Sequence, residues 1–118
     1  MSLLIRFFLG TICFCVALQT SAREIALTFD DAPLADTALM TGAERTDKLI
    51  KVLKDAKVPD ALFFVTTSNI TEQNRARLTQ YTQAGFHLAN HSHSHSSAAK
   101  LGVNEYLSDA YKAHLILK

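Results

Sequence analysis

The sequence predicts an α/β fold built on a parallel sheet. Short apolar runs alternate with amphipathic stretches in the order strand, helix, strand, helix, strand, helix, and that alternation is the signature of β/α units. Two polar clusters, Thr28-Phe29-Asp30-Asp31 and Asn90-His91-Ser92-His93-Ser94-His95, fall at the ends of the first and third apolar runs. Parallel α/β folds gather their functional groups at the carboxyl ends of strands, so pattern and chemistry point to the same edge of the sheet.

Each element has its own justification. Ile25-Ala26-Leu27-Thr28-Phe29 is a short apolar run stopped by two acids, as expected of a buried strand whose end opens on a polar site. Residues 32–43 include Pro33, Asp36, Thr37, Thr41 and Gly42 and read as a loop. From Glu44 to Lys57, Leu49, Ile50, Val52, Leu53 and Ala56 make a helical stripe, while Lys48, Lys51, Lys54 and Lys57 supply a solvated face. Val58-Pro59-Asp60 breaks that helix. Ala61-Leu62-Phe63-Phe64-Val65 is a second strand, of the continuous apolar kind expected where both sheet faces are covered. Thr71 to Ala84 is a weaker helix carrying Ala76, Leu78 and Tyr81, with Gly85 placed to end it. Phe86-His87-Leu88-Ala89 is a third strand running into the histidines. Asn104 to Leu117 forms the last helix, with Leu107, Ala110, Tyr111, His114 and Leu115 along one stripe. No repeat, low-complexity tract or interdomain linker interrupts this order.

The chain has 118 residues, and its first 22 read as a secretory signal peptide. Arg6 gives a basic start, Phe7 to Leu18 is apolar, and Thr20-Ser21-Ala22 is a small-residue cleavage site. A membrane anchor is the competing reading, but the apolar stretch is shorter than the roughly 20 residues that span a bilayer. The expected product is therefore secreted or periplasmic, with no stable membrane insertion after cleavage. Cys13 and Cys15 both lie in the signal segment, so residues 23–118 contain neither a disulfide framework nor thiolate chemistry. Starting at Arg23 removes Arg6, and the remaining basic residues balance the 11 acidic ones with histidine neutral. That balance gives no case for nucleic acid or an anionic membrane as a partner. Residues 23–118 amount to one small domain.

The polar clusters carry the inventory of a catalytic metal site. A zinc-like hydrolytic centre needs about three protein ligands and an open position for water. Asp31, His91 and His95 can supply the three, leaving Asp30 beside them to handle a proton. A bound divalent ion lowers the pKa of its water toward neutrality. Histidines four apart share one side of a helical turn, whereas a spacing of two points them apart. His91 and His95 are thus the expected pair, and His93 is the odd one out.

These same residues resemble the polysaccharide deacetylase family, the NodB homology domain or carbohydrate esterase family 4. Its first motif reads TFDD and its second H-[ST]-x-x-H; here they stand as Thr28-Phe29-Asp30-Asp31 and His91-Ser92-His93-Ser94-His95. Ala61 to Val65 is similar to the family's ATFFV-like strand, and Gly85 to His95 to its run of glycine, apolar strand, asparagine and histidine. The resemblance implies a distorted (β/α) barrel, of which about three β/α units are present, so a partial barrel. It implies a metal-dependent hydrolase that removes acetyl groups from nitrogen or oxygen of polysaccharides such as chitin, peptidoglycan, xylan or exopolysaccharide. It assigns Asp31, His91 and His95 to a divalent metal, zinc by first choice, and Asp30 to the general base. An acetylated polysaccharide is the implied partner.

The resemblance runs from about Glu24 onward and corresponds to the first half of the family's domain. The family's later motifs, an Arg-x-Pro-Tyr segment, a base-orienting Asp and a Leu-x-x-His segment with the proton donor, have no counterpart here. Residues 23–118 are therefore expected to be the amino-terminal part of such a domain. Ala32 stands where the family often has Gly, His93 where an aromatic is common, and Phe86-His87 where His-Glu is common. These departures leave the metal assignment intact and the substrate open.

A catalytically inactive remnant that binds metal or glycan is the competing reading. A metallopeptidase would call for an HExxH helix, and the sequence has none. Of the other candidates, His87 is expected to be structural or to support the site from behind, and His114 to be a partly buried helix residue. Tyr106 and Tyr111 are expected to pack.

Overall fold

A parallel sheet of three strands in the order β1-β2-β3 organises the computed structural model, which describes residues 24–118. The expected signal segment lies outside the described residues. The strands are β1 (Thr28–Ala32), β2 (Leu62–Val65) and β3 (His87–Asn90). Helices α1 (Gly42–Asp55), α2 (Arg75–Gln83), α3 (Ala98–Leu101) and α4 (Val103–Leu117) follow or connect them, with a single 3₁₀ turn at Thr67–Asn69. The α/β class and the strand-helix alternation are as the sequence predicts.

The central strand β2 sets the register. Leu62, Phe63, Phe64 and Val65 pair with His87, Leu88, Ala89 and Asn90 of β3. Thr28 and Phe29 of β1 pair with Leu62 and Phe63, and Ala32 with Val65. The first strand thus begins later than the apolar run suggests. Ile25 is 82% exposed, and the two acids expected just past the strand lie inside it. Backbone pairing with β2, not hydropathy, fixes this boundary.

Phe63 is 1% and Val65 0% exposed. The Phe63 ring stacks between Phe29 at 4.9 Å and Tyr81 of α2 at 3.9 Å, with Phe86 tilted at 5.9 Å. Leu53 of α1 and Leu78 of α2 complete this layer. Leu62 and Phe64, which alternate with the buried pair, are only half-buried. The continuous apolar run suggests cover on both faces; among the described residues, helices pack one face tightly.

Helix α1 starts in a capping box. The Thr41 hydroxyl accepts from the Glu44 N–H at 3.2 Å, and the Glu44 carboxylate accepts from the Thr41 N–H at 2.9 Å. Asp36 accepts from the Gly42 N–H at 2.6 Å. A side chain at Gly42 would lie 2.2 Å from Arg77 Nη1, so glycine is what lets the buried Arg77 reach the Leu34 carbonyl and the Thr46 hydroxyl. Helix α2 is shorter than the expected 71–84, because Thr71 and Asn74 bond to each other's backbone and form a turn of their own. Gly85 ends it at φ 88°, as the sequence suggests.

Helix α4 overturns one expectation. Leu107 is 60% and Tyr111 62% exposed, Leu115 and His114 are exposed as well, and Ala113 is the buried residue. Asp109, Ala110, Ile116 and Leu117 flank it at half-burial. The helix has apolar residues on more than one side, so its period is legible but its inner face is not. A small residue at the contact allows the backbone to approach β3 and the 3₁₀ turn closely. Among the described residues no helix is long and apolar enough to cross a membrane.

Candidate metal centre

The site begins with an irregularity in β1. Between the pairs Phe29 with Phe63 and Ala32 with Val65, β1 holds one residue more than β2. This is a bulge, the kind of local kink that re-aims side chains beside functional sites. Successive residues of a regular strand point to opposite faces, and the bulge interrupts that alternation between Phe29 and Ala32. Asp31 takes up the irregularity in a left-handed conformation, φ 64°, which aspartate tolerates better than most residues. The Thr66 hydroxyl, just past β2, donates to Asp31 Oδ1 at 3.1 Å and fixes its carboxylate.

The histidines come from the loop after β3. The His91 N–H donates to the Val65 carbonyl at 3.0 Å, carrying the sheet pattern one residue further. The chain then turns twice through left-handed residues, Ser92 at φ 69° and His95 at φ 57°. The expected helical turn is therefore absent: His91 and His95 converge through a loop, and helix begins only at Ala98. The reason is that side chains serve the loop amides. Asn90 Oδ1 accepts from the Ser92 N–H at 2.7 Å, and Ser92 Oγ from the His95 N–H at 3.0 Å. The carboxylate of Asp109, on α4, accepts from the His93 N–H at 2.7 Å and the Ser94 N–H at 3.1 Å. Burial alone would raise the Asp109 carboxyl; the backbone hydrogen bonds from Ser94 and His93 outweigh it and hold the group below its ordinary value.

These elements bring together Asp31, His91 and His95. Asp31 Oδ1 lies 3.7 Å from His91 Nε2 and 3.5 Å from His95 Nε2, and one ligand atom from each residue lies within 4.8 Å of the others. Zinc bonds of about 2.0–2.2 Å at tetrahedral angles place two ligand atoms about 3.4 Å apart. Two imidazoles and a carboxylate at these separations fit a divalent ion of intermediate softness. Asp31 and His91 are partly buried, whereas His95 is exposed.

Asp30 is not one of this trio. It is exposed and contributes to a cavity of about 110 Å³ whose wall includes Phe29, Arg45, Arg77 and Tyr81. His93 faces away from the trio toward the 3₁₀ turn, its Nδ1 3.0 Å from the Thr67 hydroxyl. His87 sits at the opposite, amino-terminal end of β3, 3.5 Å from Asp60, too remote to support the trio. His114 is exposed and stacks on Tyr111 with ring centroids 6.1 Å apart, which corrects its expected burial. Tyr111 likewise lies on the surface and not in the packing.

Sequence reasoning missed Thr66, Thr67 and Asp109. Only contacts between distant segments reveal them. Asp109 had one faint signal, an acid in the interior of a helix.

No curated protein matches the chain. Among solved structures, the Xyl-CE4 domain of a multidomain xylanase from the hindgut metagenome of Trinervitermes trinervoides shares its fold, with a TM-score of 0.56 and 23% identity. The match covers 75% of this chain and 40% of that one, so the chain spans well under half of its structural neighbour. The family profile described as polysaccharide deacetylase matches residues 17–118, nearly all of the sequence and both polar clusters. With strand order, paired acids and histidine loop all in place, this chain belongs to the polysaccharide deacetylase family.

Proposed function

We propose that this chain carries the metal centre of a hydrolase that removes acetyl groups from a polysaccharide, from nitrogen or oxygen, outside the cytoplasm in a secreted or periplasmic setting. One observation supports the reading above the rest: Asp31, His91 and His95 converge at the carboxyl edge of the sheet at ligand-like separations. Family membership supplies the reaction class.

Asp31, His91 and His95 would hold a divalent ion, zinc by first choice. Such an ion, when bound, supplies Lewis-acid polarisation of a carbonyl and makes water a better nucleophile at neutral pH. The chain's own residues position groups and move the proton. Thr66 holds Asp31 in place through its hydroxyl. Asp30, the neighbouring carboxylate outside the trio, accepts the proton of the attacking water. Net hydrolysis adds water across the acetyl bond, releasing acetate and a free amine or hydroxyl on the glycan.

Acetate release tests the reading directly. The chain, and a longer form that carries the family's later motifs, are stripped with chelator, then assayed on acetylated chitin, peptidoglycan and xylan fragments with and without added Zn²⁺; the chain alone is expected to release little or no acetate. Acetate formed only with the ion supports the proposal. Stoichiometric Zn²⁺ binding with no acetate from any glycan in either form would instead favour a chain that binds metal without turnover.

A further inference from the structure

We infer that Asp109 is a positioning residue for the histidine ligands, acting on them through the backbone of their loop. The inference rests on the proposed metal centre but concerns a residue on a different element. Asp109 lies in the interior of α4, where aspartate is a poor helix former. Its carboxylate is committed elsewhere: one oxygen accepts from both the His93 N–H at 2.7 Å and the Ser94 N–H at 3.1 Å, and the other also accepts from Ser94 at 3.1 Å. Two successive amides turned toward one anion form a small backbone nest. Asn90 makes a second tie to the same helix, its Nδ2 donating to the Ala110 carbonyl at 2.8 Å.

The loop needs such ties. Ser92 and His95 both sit at positive φ without being glycine, and such residues persist only where their surroundings hold them. The amides of residues 92–96 are all taken up by side chains: Asn90 serves Ser92, Asp109 serves His93 and Ser94, Ser92 serves His95, and Ser94 serves Ser96. Of these supports, Asp109 alone comes from outside the cluster and spans the residues between the two ligands. Releasing it frees the loop to relax toward ordinary φ values, and the His91 and His95 imidazoles then lose their common focus with Asp31.

The test uses the whole chain, with Zn²⁺ as the probe. Zn²⁺ affinity, measured by competition with a chromophoric chelator, should fall on the order of tenfold in Asp109→Asn, within the range typical for groups that orient metal ligands. Asp109→Glu, which keeps the anion, should recover part of that loss. Amide hydrogen exchange of the metal-free chain gives a second reading that needs neither metal nor activity. His93 and Ser94 should be protected in the parent and lose protection selectively in Asp109→Asn, while β2 amides stay protected. Failure of the parent to bind Zn²⁺ would remove the metal reading, and the exchange result would still decide whether Asp109 holds the loop. Unprotected His93 and Ser94 amides in the parent, or unchanged protection and Zn²⁺ affinity in Asp109→Asn, would overturn the inference.

Discussion

Asp31 and His95 meet across the width of the central strand: Oδ1 and Nε2 are 3.5 Å apart although β2 lies between the strands that carry them to the edge. A bulge on one side and a left-handed loop on the other bring them together. Of the two neighbouring acids, Asp31 belongs to this trio and Asp30 does not.

The first prediction follows from that difference. Asp31→Asn, His91→Ala and His95→Ala should each weaken Zn²⁺ binding. Asp30→Asn should retain the metal while losing about 10²–10⁴-fold in turnover, the usual contribution of a positioned general base. Metal content of the purified variants, read beside acetate release in a longer form that carries the family's later motifs, checks the division. Equal metal loss in Asp30→Asn and Asp31→Asn would refute it.

His93 supplies the second prediction. Its ring is engaged by the Thr67 hydroxyl at 3.0 Å and stands outside the trio. His93→Ala should therefore leave Zn²⁺ affinity within a few-fold of the parent, although its N–H still ties the loop to Asp109. An affinity loss as large as that of His91→Ala would show that the ligand register is wrong.

Much of this site is legible in the amino-acid sequence, and the illegible part has a common cause. The alternation of apolar runs points to the α/β class, and the positions of Asp31, His91 and His95 at strand ends point to the candidate ligands. Spacing points to the two histidines that converge with Asp31, but for the wrong local reason, since a loop and not a helix joins them. Periodicity cannot register that Asn90, Ser92 and Asp109 bond to loop amides. Tertiary hydrogen bonds decide the local conformation there. The bulge in β1 is hidden likewise, because it is a relationship between two strands and leaves no mark on either one alone.

A third prediction concerns pH and the start of α1. The backbone hydrogen bond from Thr41, and then that from its hydroxyl, hold the Glu44 carboxyl below its ordinary value of 4.5. A carboxylate with a lowered folded-state pKa adds stability that is present above the unfolded value and is lost as pH falls through the folded one. Glu44→Gln should thus lower Tm near neutral pH, and the difference from the parent should shrink as pH falls below 4.5. Thermal unfolding of both proteins across that range is the measurement. A Tm difference unchanged by acid would mean that the charge on Glu44 does not support the cap.

The final prediction tests which face of α4 is inside. Ala113 is 0% exposed, while Leu107 and Tyr111 point outward despite being the larger apolar groups. In a close-packed interior, added methylenes force neighbouring groups off their preferred conformations, typically costing about 1–3 kcal/mol. Ala113→Leu should therefore destabilise the chain by about that much, and by pushing α4 away it should also lengthen the reach from Asp109 to the His93 amide. Leu107→Ala removes a larger side chain from an exposed position and should change stability by no more than about 0.5 kcal/mol. Chemical denaturation of the two variants under one condition orders them. If Leu107→Ala proved the more damaging, the stripe read from the sequence would be the buried one, and the helix would have to turn on its axis, taking Asp109 away from the histidine loop.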